Sequence, residues 1–159
     1  MRSDVTASIV VLRENEILLL RRDARWSGIF DYVLEIPGGG VEKGETPEQA
    51  AKRELFEETG LRADALQYLG GVVVIDRRAL RFINVFLART NGDPTASKDP
   101  EHAGYQWVSL DALQHMQNLS YTTIAAMDLL NRWGIAQLVP PEYFEKGYQI
   151  FVATPRGIV

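Results

Sequence analysis

The chain contains no cysteine, which excludes disulfides and thiolate metal sites and makes a cytoplasmic location the default expectation. No apolar run approaches the roughly 20 residues that a membrane-spanning helix needs. The opening stretch, MRSDVTASIVVLRENE, lacks the basic stretch, sustained apolar run and cleavage site of a signal peptide. The net charge of −4 is mild, and the basic stripe expected of a polynucleotide-binding surface is missing. Neither a membrane nor a polynucleotide is therefore expected as a partner. There is no internal repeat, no biased segment and no linker long enough to divide domains. What is left, 159 residues of which 46% are hydrophobic, fits one soluble globular domain with an ample core.

What is present is concentrated in one segment, Gly39 to Leu61, GGVEKGETPEQAAKRELFEETGL. Thr46-Pro47-Glu48-Gln49 reads as a helix start, with Thr46 as N-cap, Pro47 preset for the first helical position and Gln49 closing a capping box. Gly60 ends the helix. Inside it Glu54, Glu57 and Glu58 stand at i, i+3 and i+4, within one turn on one face. Alone they repel by roughly 0.2–0.5 kcal/mol per pair, and Glu57 and Glu58 sit in the last turn, where the helix dipole disfavours anions. The segment carries six acids against three bases, a local charge of −3. Carboxylates together with the backbone carbonyls of Gly38 and Gly39 make an oxygen-only donor set, suited to Mg²⁺ or Mn²⁺ rather than zinc. Mg²⁺ usually binds through a few carboxylates plus substrate phosphates, which points to a phosphate ester or anhydride as substrate. The competing reading is a solvated acidic helix. It suits Glu42 and Glu48 better than the set of three. Gly38, Gly39 and Gly40 after Pro37 read either as a tight turn or as a close backbone approach to a metal.

The spacing from Gly39 through Glu45, Arg53-Glu54-Leu55 and Glu57-Glu58 to Gly60-Leu61 is that of the Nudix box, complete. Seven fixed identities arise by chance on the order of once in 10⁸–10⁹ starting positions. The chain thus resembles the Nudix hydrolases, and the resemblance implies an α/β fold, an α/β/α sandwich with a mixed β-sheet. It implies cations, Mg²⁺ with Mn²⁺ as a substitute, that bridge a diphosphate while water attacks phosphorus. Carried onto this chain, the metal ligands are Glu54, Glu57 and Glu58, with Gly38 contributing backbone, and Glu54 is also a candidate to activate the water. Arg53 and Glu45 are expected to form an ion pair that aims the carboxylates. NEILLLRR and LEIPGG are similar to MutT-like members, in which the second arginine touches substrate phosphate. That arginine maps to Arg22, which otherwise reads as an exposed strand-end residue; Gly38 and Gly39 complete the substrate contacts.

Downstream, Glu101-His102-Ala103-Gly104-Tyr105-Gln106-Trp107 resembles the EHxxYxW segment of several Nudix branches, which implies Glu101 as a further metal ligand or base. His102 is a weaker candidate base. Trp26, Tyr32, Phe82 and Tyr105 read as base-stacking groups or, more often at such positions, as core. Arg77, Arg78 and Arg81 read as exposed hairpin charge, with phosphate or second-sugar contacts as the alternative. The leading expectation is a (d)NTP pyrophosphohydrolase that releases a nucleoside monophosphate. Nucleotide sugars, ADP-ribose and dinucleoside polyphosphates remain open, as does a module that senses nucleotides without turning them over. The asparagine that reads oxidised guanine in some MutT-like enzymes falls near Ser120, and the proline associated with ADP-ribose pyrophosphatases is absent around Asp76.

Apolar, β-branched runs predict paired strands at Val5–Leu12 and Ile17–Leu20, a strand at Leu34–Ile36, a hairpin of Leu66–Ile75 with Leu80–Ala88 and a short strand at Gln106–Val108. A brief helix capped by Ser109 is expected through about Met116, and an amphipathic helix over Thr122–Trp133 ending at Gly134. Residues 1–138 are assigned to the Nudix domain. Residues 139–159, with a possible strand at Tyr148–Ala153, form an extension packed on that domain or at a dimer interface, and the state is expected to be monomer or homodimer.

Overall fold

A computed structural model describes residues 2–75, 79–95, 102–142, 147–155 and 157–158. Glu101, Arg77 and Arg78 lie outside the described residues, and of His102 only the backbone is described. The near-continuous apolar runs at the start become β1 (Arg2–Arg13) and β2 (Glu16–Asp23), joined at Glu14, which takes a left-handed φ of 54°. Such runs signify strands buried on both faces. Ile9, Val11 and Leu18 enter one core with Ala51 and Leu55, whereas Val10, Leu12, Ile17 and Leu19 enter another with Met127 and Leu130.

The remaining strands are β3 (Tyr32–Glu35), β4 (Gly38–Gly40), β5 (Gln67–Ile75), β6 (Ala79–Arg89), β7 (His102–Ser109), β8 (Gln149–Thr154) and β9 (Gly157–Ile158). They form one mixed sheet of order β3-β2-β1-β6-β5-β8-β9, with β4 on β1 and β7 on β2. The β1–β6 pairing is parallel and the other pairings are antiparallel. Helix α1 (Pro47–Thr59) packs on one face; α3 (Tyr121–Arg132) packs on the other, preceded by the short α2 (Leu110–Leu113). The expected sandwich of helices about a mixed sheet is the observed architecture.

Three local expectations need correction. The strand expected over Gln106–Val108 runs eight residues, His102–Ser109, because its ladder to β2 extends from Glu16 to Arg22 across a bulge. The helix capped by Ser109 ends at Leu113 rather than near Met116. The glycine turn is a strand: Gly38 pairs with Ser8 and Gly40 with Thr6. At the far end, β8 joins the sheet beside β5, with Val152 opposite Val72.

Candidate active site

Helix α1 is fixed at its start by the capping box: Thr46 Oγ1 accepts from the Gln49 N–H at 3.1 Å, and Gln49 Oε1 accepts from the Thr46 N–H at 2.9 Å. Gly60, at φ 73°, closes the other end and donates its N–H to the Phe56 carbonyl. Between the caps, the buried stripe Ala51, Leu55, Glu58 and Thr59 has the i, i+4, i+7, i+8 spacing of a packed helix face. Glu58 is therefore taken into the protein with the apolar side chains and is 2% exposed. Its Oε1 accepts the Gly38 N–H at 3.1 Å. Burial pushes its carboxyl up to about 9; the Gly38 N–H opposes this, and the nearby Glu54 and Glu35 carboxylates reinforce it.

Glu54 lies against the glycine strand. A Cβ at Gly39 would stand 2.3 Å from Glu54 Oε1, so only glycine leaves the carboxylate its place. Arg53 organises what surrounds it. Its Nε donates to Glu45 Oε2 at 2.8 Å and its Nη2 to Glu45 Oε1 at 2.9 Å, a two-pronged pair. The same Nη2 reaches the Gly40 carbonyl at 2.9 Å, and Nη1 donates to Glu54 Oε1 at 3.0 Å. One guanidinium thus ties together the loop before α1, the helix and β4. The Arg53 hydrogen bonds, helped by the Glu42 N–H, hold the Glu45 carboxyl down at about 2.

Glu57 is placed differently. Its side chain is 56% exposed and paired with Arg53 Nη1 at 3.3 Å. The fold thus brings Glu54, Glu58, Gly38 and Gly39 together and leaves Glu57 on Arg53. Among the described residues no three acidic or histidine side chains converge as a ready-made ligand cluster. The donors still fit a hard divalent cation. The Glu54 carboxylate raises the neighbouring Glu58 carboxyl, a repulsion that a cation would relieve, and the missing side chain of Gly39 leaves Glu54 its place. Glu57 has only an exposed i, i+4 ion pair to give up, worth about 0.3–0.5 kcal/mol.

Glu54 and the glycine strand open on a cavity of ≈ 570 Å³ that Arg22, Trp26 and Glu35 also line. That volume suits a small-molecule ligand. Arg22, at the end of β2, pairs with Glu35 at 3.3 Å. Trp26 is 62% exposed, on a single 3₁₀ turn, Arg25–Ser27, and so is no core residue. Tyr32 packs against the core beneath the Arg21 guanidinium. Phe82 and Tyr105 are exposed and do not line the cavity. Arg81, Ser120, Tyr121 and Tyr148 also line it; the sequence offered Arg81 for phosphate or sugar only as the alternative to exposed charge, set Ser120 near the place of a base-reading asparagine, and gave Tyr121 and Tyr148 no role. Arg81 was legible in principle. It shares strand parity with Ile83, Val85 and Leu87, which enter the α3-side core, so period-2 alternation places it on an inner face and not on the exposed hairpin.

Comparison with known proteins finds relatives of the whole fold. A mouse protein named oxidized purine nucleoside triphosphate hydrolase is 33% identical over 113 residues, 66% of this chain and 65% of its own. Its zebrafish namesake is 30% identical over 123 residues, 72% of each chain. A Mycobacterium tuberculosis relative, 38% identical over 103 residues, is matched over only 42% of its length, so the chain spans less than two thirds of some of its relatives. The crystal structure of a MutT NUDIX hydrolase from Burkholderia pseudomallei superposes with a TM-score of 0.71 at 27% identity, covering 82% of this chain and 99% of that one. The NUDIX domain model itself matches residues 2–127, from β1 through most of α3, and on that match the chain belongs to the Nudix family.

Proposed function

We propose that the chain is a Mg²⁺-dependent cytoplasmic pyrophosphohydrolase, with Mn²⁺ as a substitute, that splits the diphosphate linkage of a nucleoside diphosphate derivative. A (d)NTP, cleaved to nucleoside monophosphate and pyrophosphate, is the foremost substrate, and relatives named oxidized purine nucleoside triphosphate hydrolase support that choice. The observation that carries the reading is the Glu54–Glu58 pair, set against a glycine strand at the wall of a nucleotide-sized cavity.

In this reading Glu54, Glu57 and Glu58, with Gly38 backbone, hold the ion. A bound divalent cation supplies charge neutralisation for the phosphates and Lewis acidity. The chain does the rest. Arg53 fixes Glu54 and Glu45 so that the carboxylate enters the reaction already oriented. Arg22 gives up its exposed pairing with Glu35 for substrate phosphate. Glu54, the box carboxylate that lines the cavity, takes the proton of the attacking water. Glu101 is kept as a further ligand or base.

The test is release of monophosphate and pyrophosphate from a panel of (d)NTPs, oxidised dGTP, ADP-ribose, nucleotide sugars and dinucleoside polyphosphates, with Mg²⁺ and with EDTA. Glu54→Gln, Glu57→Gln and Glu58→Gln should each lose most turnover while staying folded. Near-wild-type rates in all three would sink the metal assignment, and binding without turnover across the panel would favour a nucleotide sensor.

A further inference from the structure

The sheet face that α1 covers is bare at one end. Helix α1 packs on Ala7, Ile9, Val11, Phe86 and Ala88. Two residues before Ala7 on β1 and four before Phe86 on β6 stand Val5 and Phe82, 45% and 42% exposed. The register sets them side by side and continues the line, with Val5 opposite Phe82, Phe82 opposite Val73 and Val73 opposite Phe151. Residues paired in register share a face, so these four form one apolar row across β1, β6, β5 and β8. Phe151 is 51% exposed, and none of the four belongs to either core. Leu80, Ile75 and Gln149 flank the row on one side, Asn84, Gly71 and Ala153 on the other. No charged residue stands among them. Asn84 is moreover occupied within the protein: its Nδ2 donates to the Thr6 carbonyl at 3.3 Å, and its Oδ1 accepts from the Tyr68 hydroxyl at 3.4 Å.

A sheet face turned to water ordinarily carries polar side chains, and exposed strands are guarded with charge. This one has neither protection. The exposed parts of Val5, Phe82 and Phe151, with the half-buried side chains beside them, present on the order of 300 Å² of contiguous apolar surface, the size at which a patch marks a contact. The lack of charge narrows the partner. A surface that meets lipid headgroups or an anionic partner carries lysine and arginine, whereas a charge-depleted centre with aromatic side chains is the composition of an interface between identical subunits. Two such faces related by a two-fold axis stack as sheets about 10 Å apart and bury, with their rims, about 1,000 Å² in total, the lower bound for a specific dimer. Thr6, Arg81 and Ile83 point to the other side of the same strands, where they line the cavity, so the pairing leaves both cavities open. We propose that the chain forms a back-to-back homodimer through the Val5, Phe82, Val73 and Phe151 row, with Phe151 supplied by the strand that lies beyond the residues the family model matches.

This stands apart from the nucleotide reading and from turnover. The experiment is sedimentation velocity of the full chain across roughly 1–200 µM, the range in which an interface of this size dissociates. It is repeated for Phe82→Lys, Phe151→Lys and, as a control, Tyr105→Lys, with thermal melts to show that each variant is folded. The wild type should pass from the 17.9 kDa monomer to twice that mass as concentration rises. Each residue enters a two-fold interface twice, so Phe82→Lys and Phe151→Lys should each weaken association by on the order of 100-fold and stay monomeric throughout. Tyr105, also 42% exposed but on β7, should be replaceable without effect on the mass. A wild type that stays monomeric at every concentration would overturn the proposal, and binding of that monomer to phosphatidylcholine vesicles would assign the face to a lipid surface instead. A dimer that survives both row substitutions, or one that Tyr105→Lys also abolishes, would overturn it as well.

Discussion

Glu58→Gln is the substitution whose consequence is best worked out from the structure. In the folded protein the carboxyl is neutral up to about 9, against 4.5 for an unperturbed glutamate. Between those values the native state holds a proton that the unfolded chain has released. Stability must then fall as pH rises, by up to about 1.4 kcal/mol per pH unit for one proton. The contribution is intact below the ordinary carboxyl range and becomes a growing penalty as pH climbs toward 9. Glutamine has no proton to lose, and its amide oxygen still accepts the Gly38 N–H that Glu58 Oε1 now takes at 3.1 Å. The stability difference in favour of the variant should therefore widen by about 3 kcal/mol between pH 6 and pH 8. For a chain of this size that is roughly 5–10 °C in Tm. Metal-free thermal or urea unfolding of both proteins at several pH values measures it. Mg²⁺, which binds the ionised carboxylate, should raise the wild-type Tm more at pH 8 than at pH 6 and should do little for the variant. Parallel pH profiles for the two proteins would refute the claim that burial keeps Glu58 neutral.

Other outcomes follow from the same geometry. Gly39→Ala places a methyl group 2.3 Å from Glu54 Oε1; the flexible carboxylate can yield, so circular dichroism should be unchanged while Mg²⁺-dependent turnover falls by on the order of 100-fold, the cost of displacing one positioned group. Arg53→Lys breaks the two-pronged contact with Glu45 and the link to Gly40, and steady-state kinetics should show kcat reduced more than KM is raised. Thr46→Ala removes one half of the capping box and should cost about 1 kcal/mol in denaturant unfolding without a change in kcat. Glu101→Gln should clearly lower turnover; an unchanged rate would remove Glu101 from the site.

The capping box, the left-handed stop at Gly60 and the near-continuous apolar strands follow from local rules about backbone conformation and from spacing along the chain. They are accordingly legible in the sequence alone. So is the clustering of Glu54, Glu57 and Glu58 on one turn, which helical geometry dictates. Tertiary structure decided how those three differ. Glu58 enters the core because packing takes the whole i, i+4, i+7 stripe inward. Glu54 is pressed on Gly39 because β4 pairs with β1, and Glu57 stays outside on Arg53. No local pattern distinguishes these fates, since each depends on which strand passes the helix. Arg81, Tyr121 and Tyr148 are separated by 40 and 27 residues in the chain, and the sheet order β1-β6-β5-β8 together with the packing of α3 on that sheet brings them to one cavity. The sequence by itself determined the family and the charged helix; the rest of the cavity lining came from long-range strand pairing and helix packing, which have no signature in any single segment.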